Sequence, residues 1–564
     1  MNSIIFTGGS IVTCQPGGDD PEALLVEDDR IAAIGSAAEL EVRAPGGERI
    51  DLDGQALLPA FIDPHHHFSN AVFDRRSPDL HHPPGTKISE ILSLIERHVE
   101  SSPGSGWIRV QGYDPAGLRE RRPPLRAELD DICGDRPLLV IAYSFHDAVL
   151  NSAGLAAMGW TRSTRDPPGG VLVRSRNGEL TGEIREAAFF LVEARSRTTM
   201  LAEGEDAWLA EAGEHARALL RAGIARVADP TVDPAFDRLY LRAADSGLLP
   251  IVVHRMPVGP SSALEPRLDA EPTGSGPTNC PVGPAKLFLD GAERCAICAS
   301  SLDLARSALR TLRLVGAHGL APLRAATRLD TPRRGPDGHW HSGISFWRTD
   351  DLGEALGKAA RSGLQVAQHA IGNEAVGQAL DVLERSGSAL HDLPGPPRIE
   401  HAIFLNDALE RRLADSGAMA VVQPRFLHDV GDDFARMALP GRLRAFGFRS
   451  LLDARVPLAG SSDYPVAAYE PLAAMQTAVT RRTASGLVLG EDQSIGIGEA
   501  LGMYTLQAAR ALDVADETGS LVEGKRADLV VLGTDPRATE PDHLGEIPVV
   551  ETYIAGARAF RTEA

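Results

Sequence analysis

Strand-like runs alternate with helical stretches along most of this chain, and this alternation restricts the fold more than any other feature of the sequence. Apolar runs such as LLVIAYSF (138–145), LQVAQHAIG (364–372) and VPLAGSSD (456–463) are separated by stretches rich in Ala, Leu and Arg. Alternating strands and helices form parallel sheets, and this many repetitions favour a closed barrel over a doubly wound sheet. The sequence therefore predicts an α/β protein built on a (β/α)8 barrel of the TIM type.

Both ends of the chain contain short apolar runs joined by Gly and Asp turns, a pattern that is typical of β-strands. The runs are residues 3–12, 22–35, 49–58, 519–536 and 549–560. Each end has too few strands to bury a core alone, so the two ends are expected to pair in one small β-sandwich. The predicted domains are a sandwich of residues 1–58 and 515–564 and a barrel of residues 59–514.

Three consecutive histidines follow one of the predicted strands, in LLPAFIDPHHHFSN (57–70). Side chains alternate faces along a strand, so His65 and His67 point one way and His66 the other. Two imidazoles on one face can hold one metal ion, because histidine is the commonest metal ligand. A histidine tract on a loop can also be compositional, so the metal hypothesis requires further ligands at other strand ends.

Further metal-capable side chains end other predicted strands, which is where the active sites of barrels form. They are Lys286, His369, His401 and Asp463. In a barrel of about 250 residues, each βα unit takes about 31 residues. His401 follows His369 by 32 residues and precedes Asp463 by 62, which places these three on strands five, six and eight.

The earlier spacings are longer than a βα unit and predict two insertions. Each βα unit takes roughly 31 residues, and the spacings before and after Lys286 exceed that length. With Lys286 on strand four, the extra residues fall at about 70–200 and 295–345. Both are candidates for a lid over the substrate.

The predicted set of strand-end residues suits a catalytic zinc site. Nitrogen and oxygen ligands leave an open position for water, and the ion lowers the pKa of that water toward about 7. Asp463 is expected to accept a proton and to pass it to the leaving group. Lys286 is either a distant ion-pair partner or a carbamylated lysine that bridges as an anion. A chain with only four lysines rarely places one in an apolar strand by chance.

Several stretches together resemble the amidohydrolase superfamily, and within it the amidohydrolase family 3 branch related to N-substituted formamide deformylase. They are FIDPHHH, GYDPAGLRERRPPLRAELDDI, FHDAVLNSAGL, DPPGGVLVRSRNGELTGEIREAA, KLFLDG, QHAIGNEAV, RIEHAIF, GSSDYPV and GSLVEGKRADLVVL. The resemblance implies a metal-dependent barrel hydrolase flanked by a β-sandwich from both termini, with one or two zinc-type divalent ions.

Carried over by position, the resemblance also implies roles for individual residues. The implied metal-site residues are His65, His67, Lys286 as a carboxylysine bridge, His369, His401 and Asp463, which is also the catalytic acid/base. Two residues depart from the family pattern, since Asn373 replaces an aspartate usual after HAIG and Ala60 replaces a glycine of PGFID. Neither departure removes a ligand.

Three further residues are interpreted as substrate contacts. His146 lies in HDAVLNS, which matches a pattern of the family, although a packed structural histidine would fit as well. Arg425 follows strand seven and is expected to bind a substrate carbonyl or carboxylate. Tyr464 is expected to line the pocket, although aromatic side chains near a barrel mouth more often serve packing.

Composition and charge exclude several kinds of partner. The formal net charge of −20 argues against nucleic acid or an anionic membrane as partner. Five scattered cysteines predict no disulfide framework, and Cys295 and Cys298 form a single CxxC without the context of a redox or zinc motif. No apolar run reaches transmembrane length and residues 1–14 lack the features of a signal peptide, so a cytoplasmic location is expected.

The sequence thus predicts a metal-dependent hydrolase that cleaves the C–N bond of a small N-acyl or N-formyl compound. Hydrolysis of a cyclic amide or imide, or deamination, is the alternative within enzymes. A non-catalytic relative that keeps the barrel as a binding module is a third reading, but a scaffold has no need of four histidines and Asp463 together. The expected partner is a small-molecule substrate, and the sequence leaves a homodimer open.

Overall fold

In the part of the chain that the structure describes, eight parallel strands, numbered β1–β8 here, hold the predicted metal-site residues within them or directly after them. A computed structural model describes residues 3–18, 20–320, 322–323, 330–387 and 393–563. The strands are β1 Phe61–Asp63, β2 Ile224–Val232, β3 Val252–Pro257, β4 Ala285–Phe288, β5 Val366–Ala370, β6 Arg398–His401, β7 Met419–Val422 and β8 Leu458–Gly460. They form two sheets, of order β3-β2-β1 and β4-β5-β6-β7-β8. The α/β class predicted from the sequence is confirmed.

The two parallel sheets approach each other at both edges. A parallel bridge joins Arg255 of β3 to Val282, three residues before β4. At the other edge, the backbone N–H of Asp463, just after β8, donates to the carbonyl of His65, just after β1, at 2.8 Å. All residues of β1–β8 are buried, which explains why these strands read as continuous apolar runs rather than alternating ones.

Helices follow the strands and bury one face against them. Polar caps and prolines set several helix starts: Asp233 accepts from the N–H groups of Ala235 and Phe236, with Pro234 in the first turn. The helices are Ala37–Arg43, Phe68–Asp74, Ile88–Ser101, Arg126–Cys133, Ser152–Ala157, Ala187–Arg221, Pro234–Asp245, Ser301–His318, Thr349–Arg361, Asn373–Ser386, Asp407–Asp415, Pro424–Arg436, Phe448–Asp453, Pro471–Thr480, Ile497–Tyr504 and Leu506–Ala511. Among the helices of the described ranges, none is both long enough and apolar enough to cross a membrane.

The chain between β1 and β2 builds a separate five-stranded sheet. Its strands, in spatial order, are Gly170–Arg174, Leu180–Glu186, Asp147–Leu150, Leu138–Ala142 and Ile108–Tyr113. A long helix, Ala187–Arg221, returns the chain to β2 and is interrupted by non-helical backbone at Gly204. The sheet and the helix bring His146 and Glu186 next to the ends of the parallel strands.

A smaller sheet lies between β4 and β5, inside the segment predicted as the second insertion. It has the order Ile297–Ala299, Trp340–Ser342, Arg333–Arg334. Residues 321 and 324–329 of the predicted insertion lie outside the described residues.

Strands from the two ends of the chain lie side by side in one sheet. A four-stranded sheet contains Arg30–Gly35, Ala23–Glu27, Ser3–Thr7 and Glu48–Asp51, and a five-stranded sheet contains Ser10–Ile11, Ala56–Pro59, Leu529–Leu532, Val549–Ile554 and Ala557–Arg561. In the second sheet Leu529–Leu532 runs antiparallel to Ala56–Pro59. The rings of Phe6 and Tyr553 meet edge to face with centroids 5.3 Å apart, so side chains of both ends share one core.

Candidate metal centre

His65 and His67 lie on the extended segment that follows β1, and their side chains converge on one carboxylate. The Nε2 atoms of His65 and His67 lie 3.2 Å and 3.1 Å from Oδ1 of Asp463. His66 faces away, with its Nε2 2.9 Å from Nε2 of His215. The first and third histidines of the tract therefore share a site, while the second packs behind it.

Asp463 follows β8 in a left-handed backbone conformation, with φ of 56°. Its carboxylate is buried, which opposes ionisation, but the charges and hydrogen bonds of His65 and His67 outweigh burial and hold the pKa of Asp463 well below its usual range. The side chain is thus held as an anion at the ends of β1 and β8.

His369 in β5 and His401 at the end of β6 place two more imidazoles at this carboxylate. Their ring centroids are 4.4 Å apart, and Nδ1 of His401 lies 4.0 Å from Oδ2 of Asp463. Burial is the main cause that lowers the pKa of His401 to about 3 and the pKa of His369 well below its usual value. Both rings are therefore neutral near pH 7, as metal ligands must be.

Lys286 in β4 brings an amine to the same point. Its Nζ lies 3.3 Å from Nε2 of His65 and 4.9 Å from the ring centroid of Phe288. Burial lowers the pKa of Lys286 to about 8. The structure thus brings together all six residues that the sequence suggested for the metal site.

A buried ion pair holds His65 in place. Nδ1 of His65 contacts Oε2 of Glu400, and the guanidinium of Arg398 donates to both oxygens of that carboxylate, at 2.8 Å and 2.9 Å. Arg398 also donates to the carbonyl of Pro64 at 2.8 Å. Because Glu400 accepts at Nδ1, the Nε2 of His65 is left to face the site.

Two polar side chains orient the other histidines in the same way. Oε1 of Gln423 accepts from Nδ1 of His401 at 2.7 Å, and the hydroxyl of Thr231 lies 3.2 Å from Nδ1 of His67. The sequence reasoning missed these supporting residues, together with Glu400 and Arg398. Arg398 and Glu400 could have been recognised, because the stretch RIEH places an arginine and a glutamate in a buried strand.

The donor set fits a divalent cation. Among the described residues, Nε2 of His369 and Nε2 of His401 are buried and have no hydrogen-bond partner. Orphaned buried polar atoms are costly unless something satisfies them. His65, His67 and Asp463 each offer one donor atom, and these atoms all lie within 4.8 Å of one another. Nitrogen and oxygen ligands are therefore available to one ion.

An apolar cavity opens beside these residues. His369, His401 and Asp463 line one part of it, and its walls include Ile371, Ile403, Phe404, Phe426, Val430, Phe434, Met437 and Val466. Four of the wall residues, from Phe426 to Met437, come from the helix that follows β7 and from its end. The cavity can enclose a small organic molecule whose reacting group lies at the histidines.

His146 also lines this cavity. Its ring centroid lies 5.5 Å from that of His369, and Oε2 of Glu186 accepts from its Nδ1 at 2.6 Å. Burial lowers the pKa of His146, but the neighbouring Glu186 carboxylate outweighs burial and raises it overall. The position agrees with a substrate contact, a role that stays a prediction.

Arg425 and Tyr464 lie near the cavity but are not among its lining residues. Arg425 begins the helix after β7 and its Nε lies 3.5 Å from a carboxylate oxygen of Asp429. The ring of Tyr464 stacks on that of His66, with centroids 5.2 Å apart, and borders a neighbouring cleft. A direct substrate contact by either residue stays a prediction.

Comparisons with known proteins show the family to which the chain belongs. Residues 48–560 match the family model described as "Amidohydrolase family", and residues 23–46 match a bacterial imidazolonepropionase-like composite domain. The chain is 30% identical over 571 residues to N-substituted formamide deformylase of Arthrobacter pascens, covering 99% of this chain and 98% of that protein.

Two further similarities also extend along most of the chain. The chain is 27% identical to the protein LONG AFTER FAR-RED 3 of Arabidopsis thaliana, covering 99% of this chain and 91% of that protein. A solved structure of an uncharacterized metal-dependent hydrolase from Pyrococcus horikoshii OT3 is 25% identical, has a TM-score of 0.72, and covers 96% of this chain and 99% of that chain.

Proposed function

Because the chain belongs to the amidohydrolase family and is a hydrolase acting on C–N bonds, we propose that its substrate is a small N-acyl or N-formyl amide. The observation that carries the proposal is the apolar cavity that ends at His369, His401 and Asp463. Such a cavity suits an amide whose carbonyl meets the polar end and whose substituent occupies the apolar part. The name of the Arthrobacter pascens relative, a formamide deformylase, supports the same chemistry.

We further propose that the two parallel sheets close into one (β/α)8 barrel. The bridge between Arg255 and Val282 links one pair of sheet edges, and the hydrogen bond from Asp463 to His65 links the other. The two sheets built from the chain ends are proposed to form a β-sandwich of residues 1–58 and 515–564. Contact between Phe6 and Tyr553 supports that division.

The residues proposed to hold the metal are His65, His67, Lys286, His369, His401 and Asp463. One or two zinc-type ions bound there would polarise the amide carbonyl and lower the pKa of a water molecule. Lys286 has two proposed states: a free amine or a carbamylated, bridging anion. Its position 3.3 Å from Nε2 of His65 and its lowered pKa support the second, because only an uncharged amine can take up CO2.

Proton transfer is assigned to Asp463. A carboxylate oxygen of Asp463 would take a proton from the attacking water and return it to the departing nitrogen, which makes the amine a good leaving group. The Arg398–Glu400 pair and Gln423 keep the rings of His65 and His401 fixed during the reaction. The apolar walls keep bulk water away from the scissile bond.

His146 is proposed to orient the substrate. Its Nδ1 is engaged by Glu186, which leaves Nε2 for a polar atom of the bound amide. The pairing with Glu186 fixes the ring in one orientation.

A metal analysis combined with a substrate screen tests the function. The screen compares N-formyl and N-acyl amines with cyclic imides and aminoheterocycles, and the metal content is measured in the parent and in a His65→Ala/His67→Ala variant. We expect amide hydrolysis in the parent, and loss of most metal and activity in the variant. His428→Ala is the control, because His428 is paired with Asp429 and does not line the cavity.

Two results would contradict the proposal. Full metal retention in the double variant would remove the two histidines from the metal site. Turnover of cyclic imides or aminoheterocycles, without turnover of open-chain amides, would favour the alternative reactions.

A further inference from the structure

A second group of metal-capable side chains lies in the segment between β4 and β5, outside the candidate metal centre. Cys298, Asp337 and His341 each present a donor atom, and these atoms all lie within 4.8 Å of one another. None of the three lines the apolar cavity. A thiol, an imidazole and a carboxylate at one point are the ligand types that zinc prefers.

Backbone pairing fixes this group. Cys298 and His341 are direct partners in the antiparallel pair formed by Ile297–Ala299 and Trp340–Ser342, so their side chains share one face of the sheet. Asp337 lies in the hairpin that precedes His341, and its two carboxylate oxygens are each 3.1 Å from Nε2 of His341. The strand register thus fixes Cys298 and His341 on one face, and the exposed Asp337 joins them from the hairpin.

The hairpin backbone also passes very close to the group. A Cβ added at Gly335 would lie 2.6 Å from Oδ1 of Asp337 and 2.8 Å from Nε2 of His341. Real Cβ atoms do not approach other atoms this closely, so a larger residue at position 335 would displace the carboxylate or the imidazole. Glycine at this position lets the two groups stay together.

Glu374 supplies a partner for the other nitrogen of the imidazole. Its Oε2 lies 2.9 Å from Nδ1 of His341, and it belongs to the first turn of Asn373–Ser386, the helix after β5. A carboxylate on one imidazole nitrogen with a metal on the other is a common arrangement around zinc. The geometry leaves Nε2, beside Asp337, as the metal-facing nitrogen.

Charge also favours a cation here. The carboxylates of Glu374 and Asp337 lie against the two nitrogens of the His341 imidazole, and the Cys298 thiol lies beside them. With a neutral imidazole, the two carboxylates and a thiolate would carry three negative charges, which a divalent cation would largely balance. The thiol proton would pass to solvent when the ion binds.

We propose that Cys298, Asp337 and His341 bind a zinc-type divalent cation, with Glu374 holding the imidazole from behind. The ion would join the small sheet between β4 and β5 to the helix that follows β5. Asn373 already links these parts, since its amide nitrogen donates to the carbonyl of Cys298 at 2.9 Å and its oxygen accepts from the N–H of Cys298 at 3.1 Å. The role is structural, and it is independent of the proposed amide hydrolysis.

Cobalt loading provides the test, because a thiolate bound to Co2+ produces a sulfur-to-cobalt charge-transfer band in the near ultraviolet. The proposed ligands of the candidate metal centre include no cysteine, but Cys295 lines the cavity beside them, so the loss of the band in Cys298→Ser is what assigns it to the second site. The full-length protein is reduced, freed of metal with a chelator and titrated with Co2+. We expect the intensity of the band at saturation to correspond to one cobalt–thiolate site per chain, in addition to any cobalt held at the candidate metal centre, and the band to be absent from Cys298→Ser.

Further variants separate a metal site from a change in folding. Cys14→Ser is the matched control, because Cys14 is also a half-buried free thiol, and it should keep the band. Asp337 is exposed, so Asp337→Asn should leave the fold intact. It should weaken cobalt binding at the second site, followed through the band, by at least about tenfold. His341→Ala should abolish the band.

Two outcomes would overturn the proposal. One is the absence of the band in the reduced parent protein at saturating Co2+, which would leave His341 as a protonated bridge between Asp337 and Glu374. The other is a band of full intensity in Cys298→Ser or in His341→Ala, which would place the bound thiolate elsewhere.

Discussion

Asp463 is the residue on which the proposed chemistry most depends, because it is a buried carboxylate kept ionised by two histidines. Replacing it with asparagine keeps the shape and removes the proton acceptor. We expect Asp463→Asn to fold and to retain much of the metal while kcat falls by about 10²–10⁴-fold. The measurement is steady-state kinetics at saturating metal on the best amide from the screen.

Asp463 could also have a purely structural role, and the same variant tests it. An aspartate before a turn can simply cap backbone N–H groups with its side chain. If Asp463→Asn loses its fold, the structural role is the main one. If it retains activity within a few-fold of the parent, proton transfer belongs to another group.

Lys286 gives the second prediction at this scale. If its amine is carbamylated and bridges two ions, Lys286→Ala should lose one metal ion per chain, and added short carboxylates should restore part of the activity. Lys358→Ala is the control, since Lys358 is exposed on the helix Thr349–Arg361. Unchanged metal content in Lys286→Ala, measured against that control, would instead support a free amine.

The residues of the site differ in how far the sequence reveals them. The histidine tract and strand-end positions could be recognised because strand period and βα spacing are local properties. Glu400 could not be assigned to His65, which is 335 residues away, because one sequence does not show which buried charges meet. Arg425 does not line the cavity, whereas Phe426, Val430 and Phe434 of the same helix do, so a substrate contact by Arg425 stays a prediction.

At the scale of elements, the turn between β5 and the helix Asn373–Ser386 is unusually close to a neighbouring backbone. A Cβ added at Gly372 would lie 1.9 Å from the carbonyl oxygen of Ala296. The backbone angles of Gly372, φ −78° and ψ 152°, suit any residue, so the constraint is the contact and not the conformation.

Gly372→Ala should therefore push the turn away from the segment before Ile297–Ala299. We expect a loss of about 1–3 kcal/mol in the free energy of unfolding, measured by urea denaturation, with weaker metal retention because His369 ends β5 just before the turn. Gly377→Ala in the same helix is the matched control, because its added Cβ would meet only a Leu409 methyl carbon at 3.9 Å.

The control should be neutral or more stable by up to about 1 kcal/mol, since alanine favours a helix interior over glycine. Equal stability of the Gly372→Ala and Gly377→Ala variants would show that the contact with Ala296 is easily relieved.

The order of strands and helices could be predicted because each element carries its own periodicity and caps. The sheet between β1 and β2 was foreseen only as an insertion. Its strands pair out of chain order, with Leu180–Glu186 between Gly170–Arg174 and Asp147–Leu150, and such pairing depends on contacts that no local pattern encodes.

At the scale of the whole molecule, the two ends of the chain meet through Phe6 and Tyr553, which are both buried. Either Phe6→Ala or Tyr553→Ala should cost about 3–5 kcal/mol in the free energy of unfolding, as expected when a large buried ring is removed. In a double-mutant cycle, the two changes should couple by about 0.5–1.5 kcal/mol, the range for an aromatic pair.

A second double-mutant cycle, of Phe6 with Trp107, is the matched control. Trp107 is also buried, but it belongs to the separate core formed by the chain segment between β1 and β2. That pair should be additive within about 0.5 kcal/mol. A coupling no larger for Phe6 and Tyr553 than for this pair would contradict a core shared by the two ends. The pairing of the ends could be anticipated from the small number of strands in each, whereas the strand order could not.

The wall formed by Phe426, Val430, Phe434 and Met437 has a consequence for how this protein could change over generations. These side chains belong to one helix and its end, whereas the proposed metal ligands come from the ends of β1, β4, β5, β6 and β8. A point mutation at Val430, Phe434 or Met437 reshapes the room for a substituent without replacing a ligand, whereas Phe426 stacks on the ring of His401 with centroids 6.2 Å apart. New substrates are therefore accessible to laboratory selection through a handful of codons, with the hydrolytic apparatus inherited intact.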